Sequence, residues 1–261
     1  MEDNNPIRDV WASNLEEEIA KISELIEDYP FIAMDTEFPG TIVQPEGEFK
    51  SKEAFNYQLI RLNVDLLKII QIGITIGDGK GGYPSPCCSW QFNFKFNPKE
   101  DMYQEESIEL LKNSSIDFER FTKDGISPYE FTQLLYTSGL VMNDQITYLT
   151  FHSSSDFGYL VKMLTCQPLP PDDKEFFAKL KILFPHFYDI KYITDDISEF
   201  AGLGLQALSS ELNVTRIGPQ HQAGSDALVT LMTFTELMKR INDGNIVMPS
   251  KENLLHGISP Q

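Results

Sequence analysis

The chain has 261 residues, long enough for one sizeable α/β domain or two small ones. With 41% hydrophobic and 11% aromatic residues it suits a well-packed core, which excludes an intrinsically disordered chain. A net charge of -18 argues against a non-specific nucleic-acid binder, which would be basic; a carboxylate-lined site that fills with metal escapes that argument, because the cation reverses the local field.

Met1-Glu2-Asp3-Asn4-Asn5 has neither a basic nor an apolar signal region, so a soluble intracellular protein is expected. Ser13 followed by Glu16 forms a capping-box pattern, with Leu15, Ile19, Ile22 and Ile26 at helical spacing behind it. Phe31-Ile32-Ala33-Met34 reads as a buried strand, and Pro39-Gly40 stops it. Asp35 and Glu37 interrupt the apolar run. Two apart on an extended strand, they point to one face, roughly 7 Å apart at the backbone. At the end of a core strand such carboxylates repel each other and lose hydration, and a bound divalent cation is the usual remedy. The alternative is that the strand simply emerges into solvent.

Residues 39–62 are expected to form a loop ending in a short helix, and Leu66 to Ile76 a second buried strand. That run, broken by Lys68 and Gln71, is too short to span a bilayer. Gly77–Pro84 is a glycine-rich turn without the Lys-Ser/Thr pair of a phosphate-binding loop. Cys87 and Cys88, with one further cysteine, make neither a disulfide framework nor a zinc pattern, and are read as reduced thiols of a cytoplasmic or nuclear protein. Trp90–Phe96 alternates aromatic and polar residues, predicting a strand with one core face and one wet face.

Residues 103–139 turn helical, with Ser127-Pro128 as a helix start. A buried strand is expected at Ile146–Phe151, helices at 156–165 and 172–184, a short strand at Tyr188–Ile193, and helices near 205–212 and 223–241. Hairpin-connected strands followed by strands alternating with helices predict a mixed α/β sheet in a single domain over 1–242. Residues 243–261 are expected to be a flexible C-terminal tail. Asp156 falls at a strand-to-helix junction, and His221 precedes Asp226, which opens the last helix. Taken singly, Asp156 and Asp226 read as first-turn acids that need no function.

Taken together, D-x-E on a first strand, an Asp at a later strand end and H-x-x-x-x-D on a final helix resemble the DEDDh group of 3′→5′ exonucleases, which have a ribonuclease H-like fold. The resemblance implies that Asp35, Glu37 and Asp226 hold one divalent ion, and that Asp35 bridges to a second contacted by Asp156. It also implies that His221 is the general base, histidine being the side chain that titrates near neutral pH. Ala33-Met34-Asp35-Thr36-Glu37-Phe38-Pro39-Gly40, Asn63-Val64-Asp65-Leu66-Leu67-Lys68-Ile69-Ile70-Gln71, Trp90-Gln91-Phe92-Asn93-Phe94-Lys95-Phe96 and Arg216-Ile217-Gly218-Pro219-Gln220-His221-Gln222-Ala223-Gly224-Ser225-Asp226 narrow it further. They resemble the Caf/Pop-type deadenylases, nuclease subunits of the Ccr–Not messenger-RNA decay complex.

That family implies RNA as substrate, removal of poly(A) tails with release of 5′-AMP, and two divalent metal ions, Mg²⁺ or Mn²⁺. It also implies docking to the Not scaffold and to the Ccr-type nuclease; the short apolar runs and the cysteine usage add the expectation of no membrane and of a location in cytoplasm and nucleus. Phe38, next to the acids, is a candidate contact for the terminal base. Ser153-Ser154-Ser155 departs from the family's His-Ser-Gly-Tyr run, and Tyr148 stands in place of a usual Trp. A silent adaptor of the same complex, and an exonuclease of this group without poly(A) preference, are the alternatives. The intact acids and His221 count against the adaptor.

Overall fold

The computed structural model describes residues 5–259. Its elements run β1 (Ile7–Val10), α1 (Leu15–Leu25), β2 (Phe31–Glu37), α2 (Lys52–Leu66), β3 (Gln71–Gly77), β4 (Ser89–Asn93), α3 (Glu105–Asn113), α4 (Phe118–Asp124) and α5 (Pro128–Thr137). They continue with β5 (Thr147–Thr150), α6 (Ser154–Thr165), α7 (Asp173–Leu183), β6 (His186–Asp189), α8 (Ile190–Thr194), α9 (Leu205–Glu211) and α10 (Ala223–Ile241). The strands form one six-stranded sheet in the order β1-β4-β3-β2-β5-β6. β2, β3 and β4 are antiparallel neighbours, while β1, β5 and β6 join in parallel. This is the expected ribonuclease H-like mixed sheet flanked by helices.

The period of two along β2 divides the core. Ile32 and Met34 pack with α1, α2, α5, α6 and α7 on one side of the sheet. Ala33 packs with Val229, Leu231 and Phe234 of α10 on the other. Asp35 and Glu37 share the Ala33 face, so the paired acids point toward α10, while Thr36 and Phe38 point toward α6.

Several expectations change. The capping box is not used: Asn14 is the N-cap of α1, and its Oδ1 accepts from the Trp11 N–H at 2.8 Å. α2 is a full helix of 15 residues capped by Ser51, so Leu66 is helical and β3 starts only at Gln71. The strand expected over Tyr188–Ile193 ends at Asp189, whose Oδ1 accepts from the Lys191 N–H at 3.0 Å and starts α8. β1 escapes sequence reading because this short edge strand buries only Val10 fully. The wet face of β4 is dry: Gln91 is 7% exposed and Asn93 1%. The stretch 243–259 is no loose tail, and the last two residues of the expected tail lie outside the described residues. Leu255 and Ile258 are buried in the core, and the Asn253 N–H donates to the Phe187 carbonyl at 2.9 Å.

Candidate active site

The site is built where the first turn of α10, a helix lying on one face of the sheet, meets the end of β2. In the β2–β3 register Asp35 lies opposite Gly73 and Glu37 opposite Gln71. Gly73 is what lets the helix come close, since a Cβ there would sit 1.8 Å from the Ala223 carbonyl oxygen. The first N–H groups of a helix need acceptors, and Gln222 at the N-cap supplies none from its side chain. The sheet supplies them instead. Gln71 Oε1 accepts from the Ala223 N–H at 3.2 Å, and Gln91 Oε1 accepts from the Gly224 N–H at 3.0 Å. The Ser89 hydroxyl donates to the Gly224 carbonyl at 2.8 Å. The polar side chains of β3 and β4 thus fix the first turn of α10, and with it Asp226 beside β2.

Asp226 is held from two sides. Arg216 Nη1 lies 2.6 Å from its Oδ1, and the His221 backbone N–H donates to its Oδ2 at 2.9 Å. Arg216 is itself aimed by its Nε bond to Gln206 Oε1 at 2.6 Å. His221 adopts φ +60, a left-handed conformation that costs a non-glycine residue about a kcal/mol or more. The constraint brings its ring to the acids: ligand atoms of Glu37, His221 and Asp226 all lie within 4.8 Å of one another. Asp156, buried in the first turn of α6, accepts a 2.7 Å bond from the Thr36 hydroxyl.

Crowding these carboxylates has an electrostatic cost. Burial, then Asp226, Asp156 and Glu37, drive Asp35 well above the ordinary carboxylate range, against a smaller opposing pull from Arg216. Burial, with Asp226 and Asp156, pushes Glu37 up to about 8. Burial also raises Asp156 to about 6, while the Thr36 bond restrains it. A cavity of about 520 Å³ opens over Asp35, Glu37, Arg216, His221 and Asp226. A second cavity, of about 500 Å³, opens on the α6 side of β2 and has Asp156 and Phe38 in its lining. The Phe38 ring lies 5.4 Å from that of Tyr159 and is tilted by 33°.

The structure therefore brings Asp35, Glu37, Asp156, His221 and Asp226 to one end of β2, and sets Phe38 across the strand from the cluster. Convergent carboxylates, with the charged forms of Asp35, Glu37 and Asp156 disfavoured by burial and neighbouring charge, are a donor set that a hard divalent cation satisfies, because its charge removes the repulsion. Arg216, Thr36, Gly73, Gln71 and Gln91 were not singled out from sequence. Polar residues inside an apolar run were the available signal for Gln71; for Arg216 there was only its place in the block ending at Asp226.

The CAF1 family ribonuclease model matches residues 10–133. The poly(A) ribonuclease pop2 of Schizosaccharomyces pombe is 51% identical over 242 residues, spanning 93% of this chain and 72% of that protein. The solved structure of S. pombe Pop2p in its Mg²⁺- and Mn²⁺-bound form superposes with a TM-score of 0.94 at 50% identity, covering 97% of this chain and 100% of that one. A structure of the yeast NOT1 MIF4G domain co-crystallized with CAF1 matches with a TM-score of 0.81 at 32% identity and 96% coverage of both chains.

Proposed function

The chain belongs to the CAF1 ribonuclease family, and on that premise we propose that it is a 3′→5′ exoribonuclease that shortens messenger-RNA poly(A) tails and releases 5′-AMP. It acts as the nuclease subunit of a Ccr–Not complex, binding the Not scaffold and the Ccr-type nuclease, in cytoplasm and nucleus. The observation that carries the reading is the convergence of Glu37, His221 and Asp226, whose ligand atoms all lie within 4.8 Å of one another, at the end of the strand that also carries Asp35.

Asp35, Glu37 and Asp226 would hold one divalent ion, and Asp35 with Asp156 a second. Mg²⁺ or Mn²⁺ held there supplies the positive charge that acidifies a water and steadies a departing 3′-oxygen. His221, beside Glu37 and Asp226, accepts the proton of the attacking water. The water oxygen bonds to phosphorus, the bond to the preceding 3′-oxygen breaks, and that oxygen leaves as a hydroxyl after taking up a proton. Thr36 keeps the Asp156 carboxylate aimed at the cluster. Phe38 offers its ring to the terminal base; base–aromatic stacking contributes ~1–3 kcal/mol.

The test is a 5′-labelled RNA with a mixed-sequence body and a 3′ A-tail, incubated with Mg²⁺ or Mn²⁺ beside an EDTA control and Asp35→Ala. A ladder that shrinks from the 3′ end and pauses at the body, absent from both controls, is expected. Digestion straight through the body would remove the poly(A) preference. No digestion by folded, metal-supplied protein would remove the nuclease assignment.

A further inference from the structure

The cavity that holds Phe38 and Asp156 has a wall that comes from neither the sheet nor the helices packed on it. His256, Gly257 and Ile258 line it, facing Lys52 and Asn56 at the start of α2. This segment is fastened to the elements that frame the cavity. The His256 N–H donates to Asp189 Oδ2 at 2.9 Å, and the Ser154 hydroxyl donates to the His256 carbonyl at 2.8 Å. Asn56 Nδ2 donates to the Gly257 carbonyl, also at 2.8 Å. The same buried Asp189 accepts from the His152 N–H through its other oxygen at 2.7 Å. One carboxylate thus positions both histidines, whose rings meet edge to face with centroids 4.6 Å apart.

We propose that residues 256–258 form the outer wall of the pocket for the 3′-terminal nucleoside of the RNA, and that His256 contacts that nucleoside. The inference rests on the nuclease reading above and adds the part of the chain that selects what enters. At about 500 Å³ the cavity lies within the ~300–1,000 Å³ usual for small-ligand sites. Its lining pairs the Phe38 ring, suited to a base, with the His256 ring, whose Nε2 is held by Asp195 Oδ2 at 2.8 Å and whose Nδ1 is buried, so that the ring meets a nucleoside through its carbon atoms. Asp156 lines this cavity, and its Thr36 partner lines the one over the other acids. A nucleoside against Phe38 therefore has its 5′-phosphate directed at the carboxylates. That phosphate is the one whose bond must break for a nucleoside monophosphate to leave. The wall contributes none of the carboxylates assigned to the metal ions, so changing the His256 side chain alters how the nucleoside is held while leaving the bond-breaking groups in place.

Two measurements test this. Hydrogen–deuterium exchange of wild-type protein with Mg²⁺, with and without 5′-AMP, reports protection across 252–259. Steady-state cleavage of oligo(A), and of the same RNA ending in a 3′-cytidine, is then compared for wild type and His256→Ala. We expect AMP to slow exchange across 252–259. His256→Ala should raise KM for oligo(A) about tenfold, the scale of one lost base contact of ~1–3 kcal/mol, keep kcat within about threefold, and change the A-to-C preference. A point variant is preferred to truncation because Leu255 and Ile258 are core residues; should it fail to fold, exchange on the wild-type protein decides. Exchange unaffected at AMP concentrations that inhibit cleavage, or a folded variant with unchanged KM and preference, overturns the proposal. Failure of wild-type protein to cut RNA at all would strike the nuclease reading instead.

Discussion

Glu37→Gln in the metal-free protein tests the electrostatic account of the site most directly. Glu37 moves from an ordinary 4.5 up to about 8 because it is buried beside Asp226 and Asp156. Its folded value lies above its unfolded one. The stability linked to this group is therefore complete below pH 4.5 and is lost as pH rises toward about 8. At about 1.36 kcal/mol per pKa unit, a rise of 3.5 units (8 − 4.5) corresponds to a loss of ~5 kcal/mol. A change of that size moves the melting midpoint of a chain this long by roughly 10 °C or more. Thermal melts in EDTA from pH 5 to 9 should show wild type falling steeply and Glu37→Gln falling less, with the slope that Asp35 and Asp156 still contribute, so that the variant is the more stable protein at pH 9. Adding Mg²⁺ or Mn²⁺ should lift wild type, by ~2.7 kcal/mol at 100 times Kd, and the variant much less. A variant that melts lower than wild type at pH 9 in EDTA, or one that keeps the wild-type pH slope, would refute the reasoning.

Further outcomes follow from the same geometry. His221→Ala should slow cleavage by roughly 10²–10⁴-fold while keeping metal-induced stabilisation; a pH–rate profile identical to wild type would deny it the proton. Thr36→Val removes the 2.7 Å donor to Asp156, so Asp156 should climb beyond about 6 and carry the acidic limb of the pH–rate profile upward. An unmoved limb would show that Asp156 does not set it. Gly73→Ala places a Cβ 1.8 Å from the Ala223 carbonyl, an overpacking that costs ~1–3 kcal/mol or more. It should displace the start of α10 and abolish metal-induced stabilisation; melts with and without Mn²⁺ that match wild type would show that α10 needs no such close approach.

Much of the site was legible along the chain because some side chains contradict their local pattern. Asp35 and Glu37 stand where β2 should continue apolar, and a two-residue spacing on a strand settles that they share a face. Asp156 and Asp226 are legible only as helix-start acids, and what set them apart was the ordered pattern with His221 and the blocks around them. The errors also have a common form. Gln91 and Asn93 alternate with aromatics as surface residues do, yet they are buried. Gln71 looked like a blemish in an apolar run, yet it receives an N–H from Ala223, 152 residues further on. The end of the chain, polar and rich in turn formers, looked detachable, yet Asp189 and Asn56 hold it across the cavity beside Phe38. By itself the sequence determined most of the strand and helix pattern and which faces are apolar, because periodicity is a local property of the chain; that the acids and a histidine gather was what the resemblance to a family implied. Only the tertiary structure decided what covers a polar face and which residue pairs with Asp226, because a hydrogen-bonding group reads the same whether its partner is water or a helix brought back from the far end of the chain.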